Sequence, residues 1–262
     1  YRRSVLFLLI TAVDQLEKNA EVTAKFTVNK GLYCEIKRPN GVVNDHFIQE
    51  VDSKMREMIA ANLPIVKRSI PRQEAIELFR KPGREGKVNL ISALQQPVIS
   101  IYTCEDYVDY LYGPMLHETK DLSRFELDHE SDGVLIRTPD EMTKGRIRER
   151  VNQPKFGSIL AESKAWADIL ECRFISDLNR INKENKMGEL IRISEALQEK
   201  RIAQIADHIS SHRKHIRLIL IAGPSSSGKT SFAQRLRGHP HLEKHRLHRG
   251  SAYSCVSMDC VR

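Results

Sequence analysis

The segment Arg217–Leu236 has the sequence RLILIAGPSSSGKTSFAQRL and determines what the C-terminal part of the chain can be. Its first six residues, Arg217–Ala222, are almost purely apolar, which predicts a strand buried on both faces of a parallel sheet. A full G-x-x-x-x-G-K-[ST] match follows at Gly223–Thr230, and Thr230–Leu236 has helical character. The order of strand, glycine-rich loop and helix predicts the first part of an α/β phosphate-binding domain.

The loop residues have the chemistry that a phosphate cradle needs. Gly223 and Gly228 let the backbone curl so that its N–H groups face a phosphate, and the next helix adds the positive end of its dipole. Lys229 supplies a charge to the β- and γ-phosphates of ATP, and the Thr230 hydroxyl can ligate the bridging Mg²⁺. The predicted cofactor-binding residues are Gly223, Pro224, Ser225, Ser226, Ser227, Gly228, Lys229, Thr230 and Ser231. The alternative is a Ser/Gly-rich loop that binds nothing.

The first 140 residues mix helix and strand patterns without strict βαβ alternation, which predicts an α+β domain. Arg3–Leu16 has apolar residues at helical spacing and predicts a buried helix. Asn44 or Asp45 can cap a second helix, which ends before Pro64. Strands are predicted at Glu21–Val28, Gly31–Ile36, Ile65–Ile70, Val98–Tyr102 and Gly133–Arg137, and a further helix around Ala75–Phe79.

Residues 141–215 predict a helical connector, with helices at Phe156–Leu170 and Glu189–Arg213. The second of these carries a one-sided apolar stripe that must dock on a neighbouring surface. The expected division is therefore a domain at 1–140, a connector at 141–215 and a partial P-loop domain at 216–262.

Two resemblances to known families follow from these residues. LILIAGPSSSGKTSFAQRL, residues 218–236, resembles the Walker A segment of the uridine kinase and phosphoribulokinase family of P-loop kinases. That resemblance implies ATP and Mg²⁺ as cofactors and a nucleoside as the acceptor of the γ-phosphate.

The N-terminal part resembles the second additional domain of threonyl- and alanyl-tRNA synthetases, which is their editing-type domain. The opening H-S-x-x-H-L-L of that domain is matched by Arg3-Ser-Val-Leu-Phe7-Leu-Leu, and its G-F-Y-Y-D by Gly31-Leu-Tyr33-Cys-Glu. Its later motifs are matched by Asn62-Leu-Pro64, by Glu74–Phe79 and by Val108–Met115, which reads VDYLYGPM against v-D-l-C-x-G-P-H. A family of bacterial and protist proteins joins these two modules, and the resemblance extends over roughly residues 1–236.

The donor residues of the synthetase domain are absent from this sequence. The resemblance implies a hydrolytic or metal-binding cluster of two His, one Cys and one further His, at positions occupied here by Arg3, Phe7, Leu111 and Met115. A metal site needs imidazole or thiolate donors that converge on one point. We therefore expect neither editing of mischarged tRNA nor a bound zinc, although the domain can still bind RNA or a nucleotide. His117 lies two residues past the motif and is expected to be an ordinary surface or core histidine.

The last 26 residues depart from the kinase pattern. Pro240 blocks continuation of the helix, and His239, His241, His245 and His248 fall within ten residues. One interpretation is a translated frameshift after which the frame resumes at Val256-Ser-Met-Asp259, where Asp259 would match the catalytic general base of the kinases. A second is a zinc site of His245, His248, Cys255 and Cys260, and a third is a solvated basic tail. We expect the region after Ala222 to be loosely ordered and Arg217–Ala222 to lack partner strands.

Charge and composition narrow the class of protein. The net charge is +8, from 42 Lys and Arg against 34 Asp and Glu, which favours polyanionic partners such as nucleotides or RNA. The five cysteines are scattered, which indicates ordinary thiols in a reducing, cytoplasmic setting. No apolar run reaches the length of about 18–20 residues that a bilayer span needs.

The function expected from the sequence is an ATP-binding member of the uridine kinase-like family that is weakly active or inactive. Only 40 residues follow Ala222, whereas a P-loop kinase needs a larger sheet, a nucleoside pocket and an arginine-bearing lid. The loop is then expected to bind ATP·Mg²⁺ weakly without phosphorylating uridine. The alternative function is a non-catalytic RNA- or nucleotide-binding module derived from a synthetase editing domain.

Overall fold

A computed structural model describes most of the chain. It covers residues 1–28, 30–80, 84–140, 142, 144–151, 154–212, 214–216, 218–223, 226–239, 245–249 and 253–258. The chain divides into two compact units, Tyr1–Asn179 and Arg180–Arg262. This division falls inside the predicted connector, and the boundaries at residues 140 and 215 stay a prediction.

The first unit is α+β, as the sequence predicts. Its helices are α1 (Arg2–Leu16), α2 (Asp45–Ala60), α3 (Arg72–Phe79), α4 (Glu85–Ala93) and α5 (Pro154–Ile169), with a 3-10 helix at Thr119–Leu122. Its strands are β1 (Glu21–Val28), β2 (Gly31–Lys37), β3 (Val66–Pro71), β4 (Val98–Cys104), β5 (Tyr107–Asp109), β6 (Glu126–Glu130) and β7 (Gly133–Arg137). Helix α6 (Ile175–Lys183) crosses the division between the units.

Helix α1 is buried on all its faces. Every residue from Ser4 to Val13 is buried, so this helix forms the centre of the core rather than one side of it. One face of an antiparallel four-stranded sheet, in the order β1-β2-β7-β6, contributes Cys34 and Ile36 to the same core. Helix α2 covers another side, and the Asn44 side chain caps it by accepting a hydrogen bond from the Phe47 amide at 2.9 Å.

A smaller core lies on the second sheet of the first unit. Strands β3, β4 and β5 pair antiparallel in that order, and α3 and α4 pack on them through Phe79, Ile91, Ile99 and neighbouring apolar residues. Strands β5 and β6 and helix α4 were not predicted from the sequence, because their apolar patterns are short and interrupted.

The second unit corrects two expectations about the C-terminal strand. This unit contains α7 (Met187–Ser211), β8 (Leu218–Ala222), α8 (Lys229–Arg237), β9 (His245–Arg249) and β10 (Tyr253–Met258). Strand β8 does have a partner, because β10 pairs with it antiparallel, and β9 pairs with β10 in turn. The prediction of a parallel sheet buried on both faces is wrong: Leu218 is 55 % exposed and Leu220 is 67 % exposed.

The other face of β8 holds the second unit together. Ile219 and Ile221 pack against a cluster that contains Ile202 and Ile209 of α7 and Leu236 of α8. Among the described residues after Ala222, helix α8 is therefore anchored through Leu236, whereas loose order was expected for this part of the chain.

Two glycine substitutions provide a test of the first sheet. Gly133 lies opposite Glu35 in the β2–β7 ladder, and a Cβ atom there would collide with the Cys34 carbonyl oxygen. We expect Gly133→Ala to lower the free energy of unfolding by about 3 kcal/mol or more. Gly86 is the matched control, because it lies in α4 with open space around it, and Gly86→Ala should stabilise by up to about 1 kcal/mol. Denaturant titration of both variants makes the comparison, and equal effects would contradict the register of β2 and β7.

Candidate functional site

The two segments that carry the synthetase-like motifs meet in the first unit. The Ser4 hydroxyl of α1 accepts a hydrogen bond from the Leu116 amide at 2.9 Å. The Arg3 side chain lies against Gly113, where a Cβ atom would come within 2.7 Å of Nη1. Gly113 has a φ of 91°, which favours glycine. We call this contact of α1 with residues 111–116 the helix–loop junction.

Apolar packing fills the helix–loop junction. Phe7 is completely buried, with its ring centroid 6.0 Å from that of Tyr107 and 6.4 Å from that of Tyr102. The Tyr102 hydroxyl donates to the Gly113 carbonyl oxygen at 2.7 Å, while Leu111 and Met115 pack on the main core. At the four positions that the resemblance assigns to the family's donors, a guanidinium lies against the loop at Gly113 and three apolar side chains pack in or on the main core.

His117 lies outside this arrangement. Its side chain is exposed, and its carbonyl oxygen accepts from the Ile65 amide at 2.7 Å. Within the described ranges, no group of three or more His, Cys, Asp or Glu side chains is placed to hold a metal ion.

Four basic residues lie around the N-terminal end of α1. Tyr1 fixes the backbone of Arg124, because its hydroxyl donates to the Arg124 carbonyl oxygen at 2.9 Å and accepts from the Arg124 amide at 2.8 Å. Arg2 Nη2 donates to the Lys30 carbonyl oxygen at 3.3 Å. We name Arg2, Arg3, Lys30 and Arg124 the cationic corner. None of these four forms an ion pair with a carboxylate in the portion of the chain that the structure covers.

The phosphate loop is partly described. Strand β8 ends at Ala222 and helix α8 begins at Lys229, as the motif predicts. Ser226 and Gly228 both have positive φ, at 59° and 77°, so the chain makes a left-handed turn directly before the helix. Gly223 lies close to Ser227, since a Cβ atom at Gly223 would be 2.8 Å from the Ser227 Oγ.

The structure describes some of the remaining predicted loop residues but not others. Pro224 and Ser225 lie outside the described residues. Thr230 is half-buried and Ser231 exposed in the first turn of α8, and the Phe232 amide donates to the Gly228 carbonyl oxygen at 2.9 Å. The αL turn, the N-terminus of α8 and the Lys229–Thr230 pair have the chemistry of a site for a phosphate and Mg²⁺, in which Lys229 would contact the phosphate and Thr230 the metal.

Asp259 lies outside the described residues, and its role as general base stays a prediction. Strand β10, which leads to it, runs antiparallel to β8, with Tyr253 opposite Ala222 and Ser257 opposite Leu218. The end of β10 that precedes Asp259 is therefore at the opposite end of β8 from Gly223. In the zinc interpretation, His248 lies opposite Cys255 in the β9–β10 ladder, whereas Cys260 also lies outside the described residues.

Sequence reasoning missed a cavity of about 280 Å³ in the first unit. It lies between α5 and the face of the four-stranded sheet that is turned away from α1. Its lining includes Phe26 and Tyr33, whose rings stack at a centroid distance of 5.1 Å and an interplanar angle of 21°. Lys25 Nζ lies 5.1 Å from the ring centroid of Phe174, which also lines the cavity.

A β-bulge at Lys25 creates the aromatic floor of this cavity. Ala24 is paired with Cys34, and Phe26 is paired with Tyr33, so Lys25 is an extra residue in β1. A bulge changes the face on which the next side chains lie. Val22 accordingly packs on the main core, whereas Phe26 lies on the cavity side.

Glu35 is a buried carboxylate in the cavity wall. It is 4 % exposed and forms ion pairs with Lys25, at 3.0 Å, and with Lys164 of α5. Burial alone would raise the pKa of Glu35, but the contacts with Lys164 and Lys25 outweigh it and hold the pKa below its ordinary value. Burial, followed by the charges of Glu35 and Asp132, raises the pKa of Tyr33 to about 12.

Comparison with known proteins supports the synthetase half of the resemblance. The chain is 33 % identical to a threonine–tRNA ligase of Syntrophotalea carbinolica over 128 residues, which are 48 % of this chain and 20 % of the ligase. It is 33 % identical to that of Methylococcus capsulatus over 171 residues, or 65 % of this chain and 25 % of the ligase. For the enzyme of Acidithiobacillus ferrooxidans the identity is 29 % over 164 residues, or 62 % of this chain and 24 % of the ligase.

The chain therefore spans about a fifth to a quarter of the length of the curated relatives it matches. No protein-family model matches it. These similarities give no support to the kinase half of the resemblance, which rests on the loop residues alone. Among the described residues, no helix is long and apolar enough to cross a membrane.

The buried Glu35 gives a pH-dependent prediction. Because its pKa is lower in the folded state, Glu35 adds stability above its unfolded pKa of about 4.3, and this is lost as pH falls through the folded pKa. Glu35→Gln should therefore be less stable than the wild type at neutral pH, and the difference should shrink toward acidic pH. Urea titrations at several pH values test this, with Glu21→Gln at an exposed position of β1 as the control. A constant difference at all pH values would contradict the ion-pair arrangement.

Proposed function

We propose that the first unit is an RNA-binding module, derived from a synthetase editing domain, that does not hydrolyse its ligand. The observation that carries the proposal is the helix–loop junction, where a chain similar to threonine–tRNA ligases holds Arg3, Phe7, Leu111 and Met115 at the donor positions. RNA is the partner that such an ancestry implies.

The chemistry of the junction favours binding over hydrolysis. Hydrolysis of an ester needs a group that activates water, such as a metal ion or a general base. Phe7, Leu111 and Met115 supply neither, and the Ser4 hydroxyl accepts a hydrogen bond from the Leu116 amide.

The cationic corner supplies the attraction for RNA. Arginine and lysine side chains bind phosphate oxygens without reading the base sequence. Since Arg2, Arg3, Lys30 and Arg124 form no ion pair among the described residues, binding a phosphate there displaces no carboxylate. A reducing, cytoplasmic compartment is part of this proposal, because Cys34 and Cys104 are free thiols.

Substitution of Arg3 tests the RNA-binding proposal. We expect Arg3→Ala to weaken binding of unfractionated tRNA and to reduce the slope of log affinity against log salt by about 1, because one phosphate contact is lost. Fluorescence anisotropy at several salt concentrations measures both quantities. Lys18→Ala is the control, because Lys18 is an exposed cation just beyond the other end of α1.

The same samples test the absence of hydrolysis. Aminoacylated tRNA should lose its amino acid no faster with the protein than in buffer. Unchanged tRNA affinity in Arg3→Ala would overturn the proposed RNA site, and protein-dependent deacylation would overturn the non-hydrolytic role.

A second candidate function is ATP binding by the phosphate loop, and the αL turn at Gly228 favours it. We propose that Gly223–Thr230 binds ATP·Mg²⁺ in the manner of the uridine kinase-like family, but that the chain does not transfer the γ-phosphate to a nucleoside. The anchoring of α8 on α7 and β8 supports the loop. The carboxyl end of β10 lies at the far end of β8 from the loop, whereas in a parallel sheet the carboxyl ends of neighbouring strands lie at the same edge.

Substitution of Lys229 tests the loop. We expect Lys229→Ala to abolish calorimetric binding of ATP·Mg²⁺, whereas Arg235→Ala on the same helix should leave it unchanged, since Arg235 is ion-paired with Glu199 at 3.0 Å. A wild-type protein that binds no ATP·Mg²⁺ would overturn the proposal. Phosphorylation of uridine or cytidine that disappears in Lys229→Ala would show instead that the chain is a complete kinase.

A further inference from the structure

We propose that the cavity between α5 and the four-stranded sheet binds one nucleotide unit, with its base on the Phe26–Tyr33 stack and its phosphate at Lys37. This site uses none of the residues of the cationic corner or of the phosphate loop. It therefore does not rest on either function proposed above.

The aromatic floor is suited to a nucleobase. The rings of Phe26 and Tyr33 stack on each other on the outer face of β1 and β2, and Phe174 adds a third ring to the lining. Aromatic side chains bind bases by stacking whatever the base identity, because every base has a π face. The bulge at Lys25 supports a binding role, since bulges are enriched beside functional sites, where they re-aim side chains.

The side chains along β2 follow the chemical order of a nucleotide. Tyr33, Glu35 and Lys37 occupy alternate positions and line the same cavity, so their Cα atoms are about 7 Å apart in succession. An aromatic ring, a carboxylate and an ammonium group thus lie in the order of base, ribose and phosphate. Glu35 can accept a hydrogen bond from a ribose hydroxyl.

Lys37 is the cation that is available to a phosphate. Lys25 and Lys164 are ion-paired with Glu35, Arg150 with Glu130, and Arg173 with Asp168. Lys37 is exposed at the edge of the cavity and has no ion-pair partner within the described ranges. A phosphate at Lys37 would leave the other ion pairs intact.

The volume limits the size of the ligand. Ligand pockets generally measure about 300–1,000 Å³, and this cavity, at about 280 Å³, lies just below that range. It accommodates one base and one ribose but not a second stacked nucleotide. The unit can be a free mononucleotide or the terminal nucleotide of an RNA strand, since both present the same groups.

Calorimetric titration tests the proposal. The full chain carries Lys229→Ala and Mg²⁺ is omitted, so that the phosphate loop does not contribute to nucleotide binding. AMP, adenosine and a short oligoadenylate RNA are the probes. We expect AMP to bind more tightly than adenosine. Tighter binding of the oligonucleotide than of AMP would identify an RNA terminus as the ligand, and the reverse order a free nucleotide.

Three variants separate the contributions of base and phosphate. Lys37→Gln should weaken the binding of AMP about fivefold and leave the affinity for adenosine unchanged. Tyr33→Leu should weaken the binding of both ligands about tenfold. Phe26→Leu replaces it if the Tyr33 variant does not fold. Lys67→Gln is the control, because Lys67 is an exposed lysine on β3, away from the cavity. Absence of saturable binding of all three probes at millimolar concentration, or equal AMP affinity in Lys37→Gln and Lys67→Gln, would overturn the proposal.

Discussion

The first unit depends on the burial of the central ten residues of one helix. An α-helix on a protein surface buries one stripe, but α1 has ten consecutive buried residues and must be surrounded. Full burial of a Val, Leu or Phe side chain contributes about 1.5–3 kcal/mol, and Val5, Phe7, Leu9 and Val13 are all completely buried. The four-stranded sheet, α2 and the loop after β5 are held in place because each covers a part of this helix.

The same constraint explains the composition of the helix–loop junction. A histidine at the position of Phe7 would need a metal ion or a hydrogen-bond partner to compensate for its burial. Phenylalanine needs neither and adds edge contacts with Tyr102 and Tyr107. The junction joins two distant segments of sequence, and the side chains of Phe7, Leu111 and Met115 that pack there are hydrocarbon or thioether groups. The contact between α1 and the loop is held by Ser4 and Tyr102, whose hydrogen bonds reach the loop backbone.

Local sequence patterns are sufficient to predict much of the fold, but they do not predict the cavity. Helix α1, strands β1 and β2 and the start of α8 follow from apolar spacing and from one loop motif. The partner strand of β8 cannot be predicted from such local patterns, because strand pairing depends on residues that are far apart in sequence. The bulge is also hidden, since Val22, Ala24, Phe26 and Val28 alternate as they would in an unbroken strand. Only the pairing of Phe26 with Tyr33 shows where the alternation changes face, and the ion pair of Lys164 with Glu35 spans a sequence separation that no local pattern reports.

The extra residue in β1 has a consequence for how such domains diverge. In a strand with a period of two, the insertion or deletion of one residue exchanges the inner and outer surfaces of everything that follows. The extra residue Lys25 moves the Phe26 side chain from the core face of the sheet to the cavity face, where it can stack with a ligand, although the residue itself is unchanged. The length of β1 therefore determines which face Phe26 occupies. A relative that lacks the additional residue would keep the fold but lose the aromatic surface of the cavity through a single deletion.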